Sequence, residues 1–148
     1  MSQKRGIVEK LLRLNRRVCV IDPTGVWWGL KSSVDGQRPG FPVVVFGGPH
    51  ADVPITEHAG EALGKLVAGN NMPCIIDLSD TILAARRRFM TAFSESVYRH
   101  NSKPLHLIVD EADEFSPQDG MKGMEQLVGN MDRIVRRGRV KGMRVTMI

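Results

Sequence analysis

The chain has 148 residues, of which 42% are hydrophobic and 25% charged. This composition is typical of a folded protein rather than of a disordered or collagen-like one. The length fits a single domain, and no apolar run approaches the roughly 20 residues that a membrane-spanning helix needs. Two cysteines, Cys19 and Cys74, form neither a disulfide framework nor a zinc-ligand pattern. We therefore expect a reduced, cytoplasmic protein without a membrane segment.

The net charge of +5 is unevenly distributed along the chain. Residues 1–17 carry six Lys/Arg and one acid, and residues 121–148 carry seven Lys/Arg and two acids. Residues 18–120 hold eight Lys/Arg against thirteen acids. Two basic ends flanking an acidic middle suggest a polyanionic partner, either nucleic acid or nucleotide phosphate. From charge alone, the alternative of basic side chains that only solvate helix faces is the simpler interpretation.

Hydrophobic periodicity predicts an alternation of helices and strands. The predicted elements are, in chain order, helix 4–17, strand 18–22, strand 43–46, helix 57–68, strand 74–79, helix 81–100, strand 105–109, helix 121–137 and strand 143–148. The strands are apolar throughout rather than alternating with polar residues, which is typical of a mostly parallel sheet with helices on both faces. The predicted fold class is therefore α/β.

Acidic residues occur at the ends of three of the predicted strands. Asp22 ends the first strand, Asp77 and Asp80 lie at the end of the third, and Asp110 with Glu111 directly follows the fourth. Ligands of open α/β sheets bind beyond the carboxyl ends of the strands. We therefore expect these acids to line one edge of the sheet.

The strongest single signal is the sequence LHLIVDEADEF at residues 105–115. An apolar strand that delivers Asp110 to the sheet edge suits Mg²⁺, which prefers carboxylate and phosphate oxygens. The neighbouring Glu111 could deprotonate a water that attacks a γ-phosphate. On this interpretation Asp110 is the Walker B metal ligand and Glu111 is the catalytic base. The alternative is an acid-rich turn that starts a helix, with Asp113 or Ser116 as its cap.

Four segments, VCVIDPTGVWWGL, FPVVVFGG, LIVDEADEFSPQ and RRGRVKGMRVTMI, together resemble the HerA-like branch of the HerA–FtsK superfamily of P-loop ATPases, in both order and spacing. The resemblance covers nearly the whole chain and implies a RecA-like core that hydrolyses ATP with Mg²⁺. It also implies a homo-oligomeric ring, expected to be a hexamer, that moves on double-stranded DNA. A nuclease partner would fit this role, and no membrane partner is expected.

The resemblance also implies roles for individual residues. Asp22 matches the acid before Pro-x-Gly at the end of the family's second strand, and we expect it to contribute to cofactor binding. The basic segment GR-x-x-G is matched by Gly138, Arg139 and Gly142. An arginine near this segment is expected to reach the nucleotide of a neighbouring subunit and stabilise charge on its phosphoryl group. The candidates, all counted as catalytic, are Arg139 first, then Arg137 and Arg136.

The helix end offers another explanation for this basic cluster, because Lys and Arg in a last turn complement the helix dipole and Gly138 is a natural helix terminator. The chain also departs from the family pattern, since no G-x-x-x-x-G-K-[ST] loop occurs in its sequence. We therefore expect residues 1–148 to be a single partial ATPase domain without the first strand and the Walker A loop, inactive as it stands. Strand 143–148 would then have an unpaired apolar edge, so we expect marginal stability or self-association. The alternative function is a non-catalytic relic that serves only as an assembly or DNA-binding module.

Overall fold

The computed structural model describes residues 3–32, 36–37, 39–115 and 122–148. Its helices are α1 (Gln3–Arg13), α2 (Gly60–Gly69), α3 (Leu83–His100) and α4 (Glu125–Arg137). Its strands are β1 (Val18–Asp22), β2 (Val44–Phe46), β3 (Cys74–Asp77), β4 (Leu105–Val109) and β5 (Met143–Met147). Each predicted helix and strand is present, with ends that differ by four residues at most. The predicted start of the last helix at Met121, and the alternative cap Ser116, lie outside the described residues.

The five strands form one parallel sheet in the order β2-β3-β1-β4-β5. Asp22 at the end of β1 lies opposite Asp77 at the end of β3, and β4 pairs along the other side of β1. Within the described sheet, β5 is an edge strand that pairs with β4. The predicted α/β class is confirmed, and the carboxyl ends of all five strands lie at the same edge.

Helices cover both faces of the sheet, as the continuous apolar strands predict. On one face, α1 and a 3-10 turn at Trp27–Lys31 pack against alternate residues of the strands, including Val20 and Ile108. On the other face, α2, α3 and α4 enclose the larger core. Because side chains alternate between the two faces of a strand and both faces are covered, β1 is apolar up to its last residue, Asp22, and β4 is apolar except at His106.

Arg17 joins several elements at the amino edge of the sheet, just before β1. Its guanidinium donates to carbonyl groups at the end of α2 and to the segment between α3 and β4. The acceptors are the backbone oxygens of Val67, Ala68, Asn70, Lys103 and Pro104, and the side-chain Oδ1 of Asn101. The last carbonyl groups of a helix have no partner within it, so one side chain here satisfies several of them.

Candidate functional site

Three aspartates meet at the carboxyl edge of the sheet, as the sequence predicts. Asp22 ends β1, Asp77 ends β3, and Asp110 directly follows β4. Their exposed fractions are 0%, 2% and 4%, respectively. Buried carboxylates are costly unless they are hydrogen-bonded or hold a cation, so the partners of each carboxylate indicate what it does.

Asp110 is held in place by groups from three parts of the chain. Its backbone N–H donates to the carbonyl of Ile21, which continues the pairing of β4 with β1. Trp27 Nε1 donates to its Oδ2 at 2.9 Å, and the backbone N–H of Glu111 donates to its Oδ1 at 3.0 Å. The ammonium of Lys4 lies 3.4 Å from the same Oδ1. Oδ2 of Asp110 is thus held by the Trp27 indole, while Oδ1 accepts from the Glu111 backbone and also faces the Lys4 ammonium.

The hydrogen bond from Trp27 to Asp110 is the contact at this site that sequence reasoning missed. The Trp27 indole is 5% exposed and packs within the smaller core. The bond from Nε1 to Asp110 is additional, and it spans 83 positions of sequence. The available signal was general: a buried Trp normally finds an acceptor for its N–H.

Glu111 differs from Asp110 in both backbone and exposure. Its φ of 51° and ψ of 47° lie in the left-handed region, which a non-glycine residue adopts at an energetic cost. The following residue, Ala112, donates its N–H to the carbonyl of Ile148, which fixes this turn to the end of β5. The Glu111 side chain is exposed and has no hydrogen bond or ion pair within the described residues. Its carboxylate is therefore free to accept a proton.

A cavity of about 380 Å³ opens beside this pair of acids. It is lined by Lys4, Arg5, Thr24, Val26, Trp27, Asp110 and Glu111. Arg5 is fixed by bonds to Glu9 and to the carbonyl of Gly29, whereas the Lys4 side chain is 42% exposed. The cavity thus combines carboxylate oxygens with a partly exposed ammonium group, which suits a ligand that carries phosphate and a metal ion.

The oxygen donors of this cavity fit magnesium. Within the described residues, no group of three or more His, Cys, Asp or Glu side chains could hold a metal ion. Magnesium does not need such a cage, because it is usually bound by one or two carboxylates together with waters and substrate phosphates. Asp110 Oδ1 is the oxygen that could bind it directly.

Asp22 has an indirect place in this site. Its carboxylate accepts from the backbone N–H groups of Thr24, Gly25 and Trp27, so both of its oxygens are used within its own turn. Burial raises the pKa of Asp22, and these hydrogen bonds together oppose that effect, while the neighbouring Asp77 adds to it. Asp22 shapes the turn that brings the Trp27 indole to Asp110.

Asp77 sits under a closely fitting glycine loop. Its Oδ1 accepts from the N–H and hydroxyl of Ser79, whereas Oδ2 is buried and has no hydrogen-bond partner among the described residues. Gly48 has a φ of +73°, and a Cβ on it would lie 2.3 Å from this carboxyl group. The breaker-rich segment after β2 therefore needs glycine here for both its conformation and its close approach to Asp77.

The three candidate arginines lie at the other edge of the sheet. Arg136 and Arg137 end α4, and Arg139 belongs to a 3-10 turn at Gly138–Lys141 that leads into the start of β5. All three are exposed, and Arg136 pairs with Asp132 at 2.7 Å. The five residues of β4 span about 15 Å between this edge and Asp110. Within one chain, the described structure therefore does not bring these arginines together with the acids.

None of the protein-family models, curated proteins or solved structures compared with the chain matches it. No helix in the described part of the chain is long and apolar enough to cross a membrane.

Proposed function

We propose that this chain supplies part of the ATP-hydrolysing site of a HerA-like DNA translocase with a RecA-like P-loop core. The observation that carries the proposal is the pair formed by Asp110 and Glu111 at the end of a buried strand. Asp110 is anchored and nearly buried, while Glu111 is exposed and held in a left-handed conformation. Both line a cavity that also contains the Lys4 ammonium. Strained residues of this kind concentrate at active sites.

In the proposed reaction, Asp110 Oδ1 would hold Mg²⁺, and the bound ion would supply positive charge that offsets the charge of the ATP phosphates. Glu111 accepts a proton from a water molecule. The water oxygen bonds to the γ-phosphorus as the bond from that phosphorus to the bridging oxygen breaks, giving ADP and phosphate. The Trp27 indole keeps Asp110 in one orientation during these steps, and Asp22 maintains the Trp27 turn on which nucleotide binding depends.

The proposal includes a homo-oligomeric ring, because the candidate arginines are remote from the acids of their own chain. Arg139 is the first choice for the residue that reaches a neighbour's nucleotide, with Arg137 and Arg136 as alternatives. Arg136 is the weakest of the three, since its guanidinium is already paired with Asp132. A hexamer acting on double-stranded DNA, with a nuclease as partner, is the assembly that the resemblance favours.

A non-catalytic assembly or DNA-binding module is the second candidate. It is favoured by the sequence, which contains no G-x-x-x-x-G-K-[ST] loop to supply backbone amides and a lysine to the phosphates. Without those contacts the chain would bind nucleotide weakly, because they provide much of the electrostatic attraction for phosphate.

Manganese binding tests the metal site directly. Mn²⁺ is titrated into the chain with and without ADP or ATP, and free Mn²⁺ is followed by electron paramagnetic resonance. We expect Asp110→Asn to weaken Mn²⁺ binding about tenfold or more. Asp113→Asn is the matched control, because Asp113 is an exposed acid three positions along the same turn. Equal affinities for the wild type and Asp110→Asn would refute the metal site.

ATP turnover separates the two candidate functions. If the wild-type chain hydrolyses ATP, Glu111→Gln should lower the rate by a factor of about 10² to 10⁴ while nucleotide binding persists. Normal turnover by Glu111→Gln would show that the base is wrongly assigned. Metal-dependent nucleotide binding without turnover in the wild type would favour the non-catalytic module.

A further inference from the structure

A second cavity, of about 480 Å³, lies at the amino edge of the sheet and has a basic lining. Arg16 and Arg17 enter it from the segment between α1 and β1, and His106 and Arg144 enter it from β4 and β5. No acidic side chain is among the described residues that line it. The cavity is separate from the carboxyl-edge site, because the length of β4 lies between them.

Strand register explains how the basic groups converge. His106 pairs with Arg144 across the parallel strands, and both lie on the sheet face that α1 covers in part. Arg16 follows α1 on that same face. The cavity therefore unites the two basic ends of the sequence, residues 1–17 and 121–148, which the acidic middle separates along the chain.

The arginines of this cavity differ in their hydrogen bonding. Arg17 donates to carbonyl groups of the fold, so its N–H groups are largely used. The side chains of Arg16 and Arg144 are exposed and have no hydrogen bond or ion pair within the described residues. Two guanidinium groups with unused donors therefore face one cavity without a counter-charge.

The electrostatic surroundings of His106 agree with an unbalanced positive charge. Burial, and then the charge of Arg144, lower the pKa of His106. Arg16 and Arg17 are the other charged groups that line the cavity. His106 itself is hydrogen-bonded to Thr146, with 2.7 Å between Nε2 and Oγ1. An anion in the cavity would offset the repulsion among these cationic groups.

We propose that this amino-edge cavity binds a phosphate group through Arg16 and Arg144. Guanidinium groups bind phosphate oxygens through paired, charge-assisted hydrogen bonds. The phosphate could belong to a small phosphorylated molecule or to a nucleic acid backbone, since both present the same anionic oxygens. The proposal does not depend on ATP hydrolysis at the carboxyl edge.

Binding of two probes tests the site and distinguishes the sources of phosphate. Pyrophosphate and a short DNA duplex are each titrated into the wild type, Arg16→Gln, Arg144→Gln and Arg13→Gln. Arg13 is the matched control: it is exposed, lies over the Phe41 ring rather than in the cavity, and its replacement removes the same single charge. We expect each cavity variant to lose about tenfold in affinity for the probe that binds, and Arg13→Gln to lose much less.

The pattern of losses decides the proposal. Tenfold losses with pyrophosphate support a small-molecule phosphate site, and the same losses with the duplex alone support a nucleic acid contact. For the duplex, the slope of log affinity against log salt concentration should also be smaller in each cavity variant, by about the amount that one phosphate contact contributes. Equal effects in all three variants, or no binding of either probe, would overturn the proposal. The His106 ring resonances provide a check that does not use a variant, because a bound anion should shift them and raise the pKa of this histidine.

Discussion

The two edges of the sheet differ in how fully their polar groups are hydrogen-bonded. At the amino edge, Arg17 donates hydrogen bonds to carbonyl groups from α2 and from the segment before β4, so these backbone acceptors have partners. At the carboxyl edge, three buried aspartates lie together, one oxygen of Asp77 has no partner in the described part of the chain, and Glu111 adopts a left-handed conformation. Unsatisfied and strained groups are tolerated in folded proteins mainly where they serve function. The difference agrees with the proposal that ATP is hydrolysed at the carboxyl edge, and it assigns much of the backbone hydrogen bonding between elements to Arg17 at the amino edge.

The largest effect on stability is expected from Arg17→Gln. Glutamine cannot reach the carbonyl groups that Arg17 bridges, and the Oδ1 of the fully buried Asn101 would also lose this donor. Two or more unsatisfied acceptors correspond to a loss of about 4 kcal/mol in the free energy of unfolding. Urea denaturation measures this loss, with Arg16→Gln as the control, because Arg16 is exposed and has no such bonds.

The stability of Arg17→Gln tests whether the amino edge depends on the hydrogen bonds of this one side chain. A loss below about 1 kcal/mol would show that the carbonyl groups are satisfied by water instead, and that the amino edge does not depend on one side chain. Arg17→Gln should leave Mn²⁺ affinity at Asp110 unchanged as long as the chain is folded. A weakened cation site in a folded variant would show that the two edges are coupled.

Much of the architecture could be predicted from the sequence because it follows from local patterns. Uniformly apolar strands alternating with helices determine a parallel sheet, and such a sheet collects the residues that end its strands, including Asp22, Asp77 and Asp110, at one edge. The bond from Trp27 to Asp110 could not be predicted, because it joins positions 83 residues apart through a side-chain orientation. The hydrogen bonds of Arg17 could not be predicted for the same reason, because they depend on where α2 and α3 end in space.

Gly48→Ala is expected to have the next largest effect. The new methyl group would meet the Asp77 carboxyl group, and the backbone φ of +73° adds a cost of its own. Gly36 is a matched control, since its φ is +72° but no atom of the described residues lies within 4 Å of a Cβ built there. Gly36→Ala should therefore show the conformational cost alone, about 1 kcal/mol. Gly48→Ala should lose about 2 kcal/mol more through steric overlap.

Thermal or urea unfolding of both alanine variants separates these two contributions. Equal losses would mean that the segment after β2 moves aside without cost, and that Asp77 is not enclosed. A larger loss for Gly48→Ala would confirm that Asp77 is packed under this loop. The carboxyl edge would then combine one enclosed acid with one acid, Asp110, that faces an open cavity.

The smallest effect on stability, and the sharpest difference between the edges, is expected from Trp27→Phe. Phenylalanine keeps most of the buried ring but removes the N–H that holds Asp110 Oδ2, at a cost of about 1.5 kcal/mol. Trp28→Phe is the control, because Trp28 is 38% exposed and stacks on His50 instead.

Groups that orient a metal ligand affect metal affinity by about tenfold or more. Trp27→Phe should therefore weaken Mn²⁺ binding much more than Trp28→Phe does, whereas the amino-edge variant Arg17→Gln changes stability alone. If the two tryptophan variants bound Mn²⁺ equally well, the indole would contribute packing only, and Asp110 would hold its orientation without it.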